Sequence, residues 1–309
     1  MLVKDILWSA RKDYLDDTIQ PYLWDDEDLL RHLNMILNEW CRETGCLRDW
    51  TTSAICDIPI LANKHTYAMD SRITEIHKGY LDNGSPIVFP KDDTWLDDNV
   101  SSWRRITGNV LWMIPDYGLG IFRTVYYPPP SLGYWSGAIT FTALGGTITH
   151  TIGSTETNFS TLLAATDQVV VSGTTLNGTT AVPKIFTVTS ASSNSFTVIE
   201  TVFDEVVASG GIIQKVVDTM RLTVSRIPLN QLVIGTIDTV SPEIRSDYHP
   251  YLTHGILREA YMKQDSQCLD VNKSNEHKAI FEYRKNQARN ERDWLRRTTQ
   301  TMKPHPGAI

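Results

Sequence analysis

Apolar residues recur at helical spacing near both ends of the chain. Within residues 2–17, and again between Asp25 and Gly45, they return every three or four positions, which predicts two amphipathic helices. The second begins with a run of acidic residues; Asp25 is expected to cap this helix and Gly45 to end it. Two further helices are predicted over 248–261 and 270–297, and the last has only a thin apolar stripe.

Short strands are predicted in the middle of the chain. Residues 53–60 alternate between apolar and polar side chains, and 73–81 precede an Asp-Asn-Gly turn that is typical of a hairpin. A second hairpin is predicted over 110–126, and a later strand over 220–227. We expect this later strand to pair with the one that ends at Tyr126, so that the residues between them form an insertion in a hairpin loop.

The residues between these two strands differ in composition from the rest of the chain. Residues 134–217 are rich in Thr, Ser, Gly and Val, and only seven of them are charged. At least four short strands separated by turn residues predict a small β-sandwich or barrel. The predicted fold class is therefore α+β: antiparallel helices with a small antiparallel β-sheet, plus an inserted all-β, sandwich-like or barrel-like domain. The expected domains are 1–130 and 218–297 for the helices and small sheet, 134–217 for the insertion, and an extended tail over 298–309.

Charge is distributed unevenly along the chain. The 309 residues have a formal net charge of -7, which argues against a free-standing DNA-binding protein. Residues 1–60 carry 12 acids and 6 bases, whereas residues 257–303 carry 11 bases and 7 acids. The two ends of the chain are therefore expected to attract each other, within one subunit or between neighbouring subunits.

The sequence contains no pattern that indicates catalysis, a cofactor or a metal. The serine-hydrolase, P-loop and zinc-protease motifs are all missing. His249 and His254 are five residues apart and would lie on different helix faces, so a zinc site is not expected. The acids that follow Trp24 are consecutive rather than alternating, which favours a helix start over a calcium loop. We predict no enzyme activity, no cofactor and, because no long apolar run or leader pattern occurs, no membrane association.

The basic residues of the last predicted helix are the most prominent charge feature. One interpretation is a solvated helix face with internal charge pairs. A second is a helix that docks to acidic residues of another subunit or protein, and DNA contact is a third. On the docking interpretation, the candidate residues are Arg284, Lys285, Arg289, Arg292, Trp294, Arg296 and Arg297, with Pro304 and Pro306 in the tail.

Several short motifs occur in an order that is typical of one protein family. They are VKDIL at 3–7, YLWDDEDLLRHLN at 22–34, IPI at 58–60, YAMDSRI at 67–73, LTVSRIPL at 222–229, and PEI with DYH over 242–249. This order resembles that of the phage adaptor (connector) proteins that form the ring beneath the portal in tailed phages. The resemblance covers about residues 1–127 and 217–297 and leaves the Thr/Ser-rich block outside.

The resemblance implies a structural role in the virion, at the head-tail junction, for a protein made in the cytoplasm of the bacterial host. Such adaptors form rings of twelve copies that join the portal to the tail and line the DNA exit channel. The implied partners are further copies of the chain, the portal protein, a tail tube or nozzle protein, genomic DNA without sequence-specific binding and, through 134–217, tail fibres or spikes.

Two alternatives remain open from the residues themselves. The inserted block could be a binding module that recognises a host receptor or glycan, with Tyr134, Trp135 and Phe159 as its aromatic contacts. A weaker alternative is a hydrolase that acts on cell-envelope sugars.

Overall fold

The computed structural model describes residues 1–89, 93–150, 158–265 and 268–300, without the side chains of 116 and 295–300. The chain divides into two compact units. The first comprises Met1–Asp49, Ser71–His77 and the chain from Val224 onward, and the second comprises Trp50–Asp70 and Lys78–Thr223. Helices and antiparallel sheets occur together, which confirms the predicted α+β class. The boundaries proposed for the inserted domain stay a prediction.

The helices and strands are as follows. In chain order, the α-helices are α1 (Val3–Ser9), which a π-helical segment (Ala10–Leu15) continues, α2 (Asp26–Thr44), α3 (Ser53–Cys56), α4 (Asp93–Asn99), α5 (Phe159–Leu162), α6 (His249–Ala260) and α7 (Val271–Gln300). The strands are β1 (Arg48–Asp49), β2 (Asp57–Leu61), β3 (Thr66–Ala68), β4 (Ile73–Leu81), β5 (Pro86–Ile87), β6 (Trp112–Gly118), β7 (Ile121–Val125), β8 (Tyr134–Thr142), β9 (Thr147–His150), β10 (Gln168–Ser172), β11 (Lys184–Ala191), β12 (Ser195–Val198) and β13 (Glu205–Arg226).

The core of the first unit lies between α1, α2, α6 and α7. Trp40 of α2 is fully buried, and its ring centroid lies 5.4 Å from those of both Tyr248 and Phe281. Helices α2 and α6 approach closely at Gly255, where a Cβ atom would lie 2.5 Å from Ile36 Cγ2. Because each large apolar side chain buried in this way contributes about 1.5–3 kcal/mol, packing rather than helix propensity stabilises this unit.

Strands β8 to β12 and the first part of β13 form a closed barrel in the second unit. The strands pair antiparallel in the order β10, β11, β12, β9, β8 and β13, and β13 pairs with β10 to close the barrel. Apolar side chains fill the interior. Trp135 and Phe159 lie there with ring centroids 4.6 Å apart, so two of the three aromatic residues offered for glycan binding are buried instead.

Two strand predictions are wrong. The predicted strand over 220–227 is the end of the 22-residue strand β13, and β7 pairs with β3 and β6 rather than with β13. Strand β7 cannot pair with this part of β13, because β2 and β4 already occupy its two hydrogen-bonding edges. Residues 53–56 form a helical turn, α3, so the predicted strand begins only at Asp57.

The last helix also extends further than predicted. Helix α7 continues to Gln300, so residues 298–300 are helical rather than part of an extended tail. The first proline in this region is Pro304, so no residue that breaks a helix precedes it. Residues 301–309 lie outside the described part of the chain.

Candidate docking surface on the last helix

Helix α7 contacts the rest of the first unit through one narrow face. The buried positions recur every three or four residues, and polar side chains outnumber apolar ones among them. They are Ser274, His277, Phe281, Lys285 and Ala288. This composition explains why the apolar stripe of α7 is thin in the sequence: polar contacts with α2 and α6 replace part of it.

Lys285 is the central polar contact between α7 and α2. Its side chain is 1% exposed, and Nζ lies 2.7 Å from Glu39 Oε1 and 2.9 Å from both Glu43 Oε2 and Glu282 Oε1. Burial alone would lower the pKa of Lys285, but its bonds to these carboxylates outweigh burial and raise the pKa, so the ammonium stays charged. Although Lys285 belongs to the predicted docking set, it is an internal residue of this unit.

Two further basic residues of the set hold α7 against the end of α2. Arg289 Nε donates to the backbone carbonyl of Glu43 at 3.0 Å, and Arg292 donates to the carbonyl of Thr44. These carbonyls have no partner within the helix, and a cation at a helix C-terminus interacts favourably with the helix dipole. These basic side chains therefore contact α2 of the same unit, which is neither the solvated face nor the contact with another protein that the sequence suggested. For this part of the set, a contact with another protein stays a prediction.

The exposed face of α7 carries aromatic rings and amides. Tyr283 is 66% exposed and Trp294 is 65% exposed. They are 11 residues apart, close to three helical turns, so they lie on one face about 16 Å apart. Asn286 and Asn290 lie between them and are also exposed. We call these four residues the α7 face.

Arg284 lies beside the α7 face. Its guanidinium carbon lies 4.5 Å from the ring centroid of Tyr251 and 5.6 Å from that of Tyr283. Nη1 donates to Gln287 Oε1 at 3.0 Å. The guanidinium therefore lies within cation–π distance of both rings. The side chains of Arg296 and Arg297, and the whole of Pro304 and Pro306, lie outside the described residues.

Asp25 is the N-cap residue of α2. Its backbone is extended, with φ -63° and ψ 152°, and its carbonyl accepts a hydrogen bond from Leu29 N at 3.1 Å. The carboxylate makes no capping hydrogen bond. Asp26 in the first turn is fixed instead, because it accepts from Arg11 Nη2 at 2.7 Å. The acids at the start of α2 therefore act through the helix dipole and through Arg11.

A histidine pair on α6 and α7 was not predicted. His249 is buried and lies 2.9 Å from the carbonyl of Ile244, whereas His254 Nδ1 lies 3.0 Å from His277 Nδ1. The two paired residues are on different helices, so no spacing in the sequence indicates them. In the described ranges, no three His, Cys, Asp or Glu side chains are grouped so that they could hold a metal ion.

A comparison with known protein families identifies the chain. The family model for the SU10 adaptor protein matches residues 1–304. The chain belongs to this phage adaptor family. The match continues through 134–217, which the motif resemblance left outside. None of the curated proteins compared with the chain matches it.

Membership of the SU10 adaptor family gives the protein a structural role in the phage virion. An adaptor contacts other virion components, and its family indicates the head-tail junction. Across the part of the chain that the structure describes, no helix is both long and apolar enough to span a membrane.

Proposed function

We propose that this adaptor forms a closed ring of twelve copies that joins the portal to the tail and lines the channel through which genomic DNA leaves. The observation that carries the proposal is the family match over residues 1–304. DNA passes without sequence-specific contacts. The other partners are the portal protein and a tail tube or nozzle protein.

Exposed aromatic residues support self-association and partner docking. A ring of identical copies needs two different, complementary patches on each copy, and obligate contacts of this kind commonly bury about 2,000 Å² or more. Aromatic side chains supply much of the binding energy of such patches. Besides the α7 face, Trp50 is 65% exposed and Trp8 is 47% exposed.

The mass of the particle in solution tests this proposal. Purified protein mixed with the portal protein of the same phage should form a particle containing several copies of the 35.0 kDa chain. Replacing both Tyr283 and Trp294 by Ser should reduce complex formation at least tenfold. The control is Asn275→Ser, at an exposed position near the start of α7. A chain that stays monomeric and ignores portal and tail proteins alike would contradict the proposal.

The C-terminal tail is proposed to dock to the portal. Residues 298–309 follow the part of α7 that holds it to α2, so their removal should leave the first unit folded. We expect portal binding to weaken and the melting temperature to stay unchanged, as measured by mass photometry and circular dichroism. Unchanged portal binding would reject this role for the tail.

A further inference from the structure

The strand order of the barrel brings three loops to one end. Because neighbouring strands are antiparallel, the connections β8–β9, β10–β11 and β12–β13 all lie at the same end of the barrel. These loops are residues 143–146, 173–183 and 199–204. The chain enters β8 and continues through β13 at the opposite end. We call the three-loop end the barrel tip.

Hydrogen bonds join the three loops of the barrel tip into one surface. Ala143 N donates to the Asp204 carboxylate at 2.7 Å. The side chain of Asn177 donates to the Phe203 carbonyl at 2.8 Å and accepts from the Phe203 amide at 2.9 Å. The Glu205 carboxylate accepts from the backbone amides of 175–177. The tip is therefore formed before any partner binds.

Apolar side chains project from this fixed backbone. Leu144 is 91% exposed, Val182 72%, Ile199 70%, Leu176 58% and Phe203 54%. The barrel does not need them for its stability, because other residues fill its interior. A group of exposed apolar residues on adjoining loops is typical of a protein interaction site.

The charges of the barrel tip indicate which charge the partner's surface must carry. The loops of the barrel tip and the residues next to them carry three carboxylates, those of Glu200, Asp204 and Glu205, against the single ammonium of Lys184. Hydrogen bonds from Thr175, Leu176 and Asn177 outweigh burial and lower the pKa of Glu205 to about 2, so this carboxylate is ionised at neutral pH. The net negative charge disfavours DNA, anionic lipid and a tip-to-tip contact between two copies, and it favours a cationic partner.

We propose that the barrel tip docks a second virion protein through apolar side chains of that protein flanked by Lys or Arg. This inference rests on the proposed place of the chain in the virion. The apolar residues of the tip supply the binding energy, and the carboxylates select the partner and orient it.

The test uses phage that carry altered tips. The double variant Leu176→Ser with Phe203→Ser removes two central apolar side chains. The matched control is Leu132→Ser, a 38% exposed residue just before the chain enters the barrel. We expect tip-variant virions to contain the adaptor in normal amount and at least tenfold less of one other protein, as measured by mass spectrometry of purified virions. Control virions should match the wild type.

The protein that is lost is then purified and tested for direct binding to the wild-type adaptor. Binding should weaken at least tenfold with the tip variant, and it should also weaken as salt is raised, because salt screens the carboxylates. The variants should melt within a few degrees of the wild type, since the replaced side chains are exposed.

Two results would overturn the tip proposal. The first is a tip variant whose virions keep their full set of proteins. The second is a folded tip variant that no longer enters virions, because the tip would then hold the adaptor to its own copies or to the portal rather than recruit a further virion protein. Failure of the proposed function is a separate outcome, in which the wild-type chain itself does not bind the portal.

Discussion

At the scale of single residues, Lys285 shows how a charge can occupy a core position on an amphipathic helix. An ammonium has three N–H donors, and here three carboxylates lie within 2.9 Å of Nζ. The side chain passes close to Phe281, whose ring centroid lies 5.2 Å from Nζ. The charge is therefore compensated inside the unit, and it contributes to helix packing rather than to the outer surface.

Removing this ammonium is expected to destabilise the first unit. Lys285→Ala removes the cation that Glu39, Glu43 and Glu282 share and opens a cavity, although Arg258 still pairs with Glu39 and Arg289 with Glu43. The free energy of unfolding should therefore fall by about 3 kcal/mol. The glutamates are partly exposed, which keeps the loss at the lower end of the usual range for buried pairs. Urea unfolding measures this change. Lys278→Ala, at an exposed position of α7, should change it by no more than about 0.5 kcal/mol, and equal effects at the two sites would contradict the assignment.

The histidine pair predicts a dependence of stability on pH. With the two Nδ1 atoms 3.0 Å apart, one proton can lie between them but two cannot. Burial lowers the pKa of both histidines. At His254, the nearby His277 and Arg284 lower the pKa further, and at His277 Lys273 does the same. Glu276 opposes the shift at both histidines. The folded chain therefore binds protons at these histidines less readily than the unfolded chain does. The contribution of the pair to the free energy of unfolding is fully present above the ordinary histidine pKa of about 6.5, and it decreases as pH falls below that value.

Replacing one member of the pair should reduce this dependence. We expect His277→Gln to unfold in urea with a smaller loss of stability between about pH 7.5 and 5 than the wild type. His249→Gln is the comparison, since His249 is buried and bonded to backbone carbonyls but is not part of the pair. An identical pH slope for wild type and His277→Gln would show that the pair does not control it.

At the scale of elements, local patterns predicted the longer helices, but they missed the short helix α3 and failed on strand pairing. Apolar periodicity located α2, α6 and α7 because one face of each helix is buried against its neighbours. The partner of β13 could not be predicted in the same way, since pairing depends on residues far apart in the sequence. The barrel strands were indicated by turn residues, but the inward direction of Trp135 and Phe159 depends on barrel closure.

The close packing of α2 against α6 predicts that a larger residue at Gly255 destabilises the first unit. In an exposed helix, Gly→Ala usually stabilises by about 1 kcal/mol. Here the new methyl group would lie 2.5 Å from Ile36 Cγ2 and 3.0 Å from Phe281 Cε2, so we expect Gly255→Ala to lower the free energy of unfolding by about 1–3 kcal/mol. The control is Gly235→Ala, because nothing lies within 4 Å of the added atom there. A stabilised Gly255→Ala variant would refute this close contact.

At the scale of the whole molecule, exposed aromatic residues and family membership indicate the same kind of role. The motif order in the sequence was sufficient to indicate a phage adaptor, and the family match confirms it. The docking set was harder to predict, because sequence does not show that Lys285, Arg289 and Arg292 contact α2 of their own unit. The groups of α2 that they contact lie 246 to 248 positions away along the chain.

Electron microscopy of the purified adaptor with its portal protein tests ring formation most directly. We expect a closed ring of adaptor copies, coaxial with the portal, with an open channel wide enough for duplex DNA. Single adaptor chains scattered on the portal, or portal particles without any adaptor density, would contradict it.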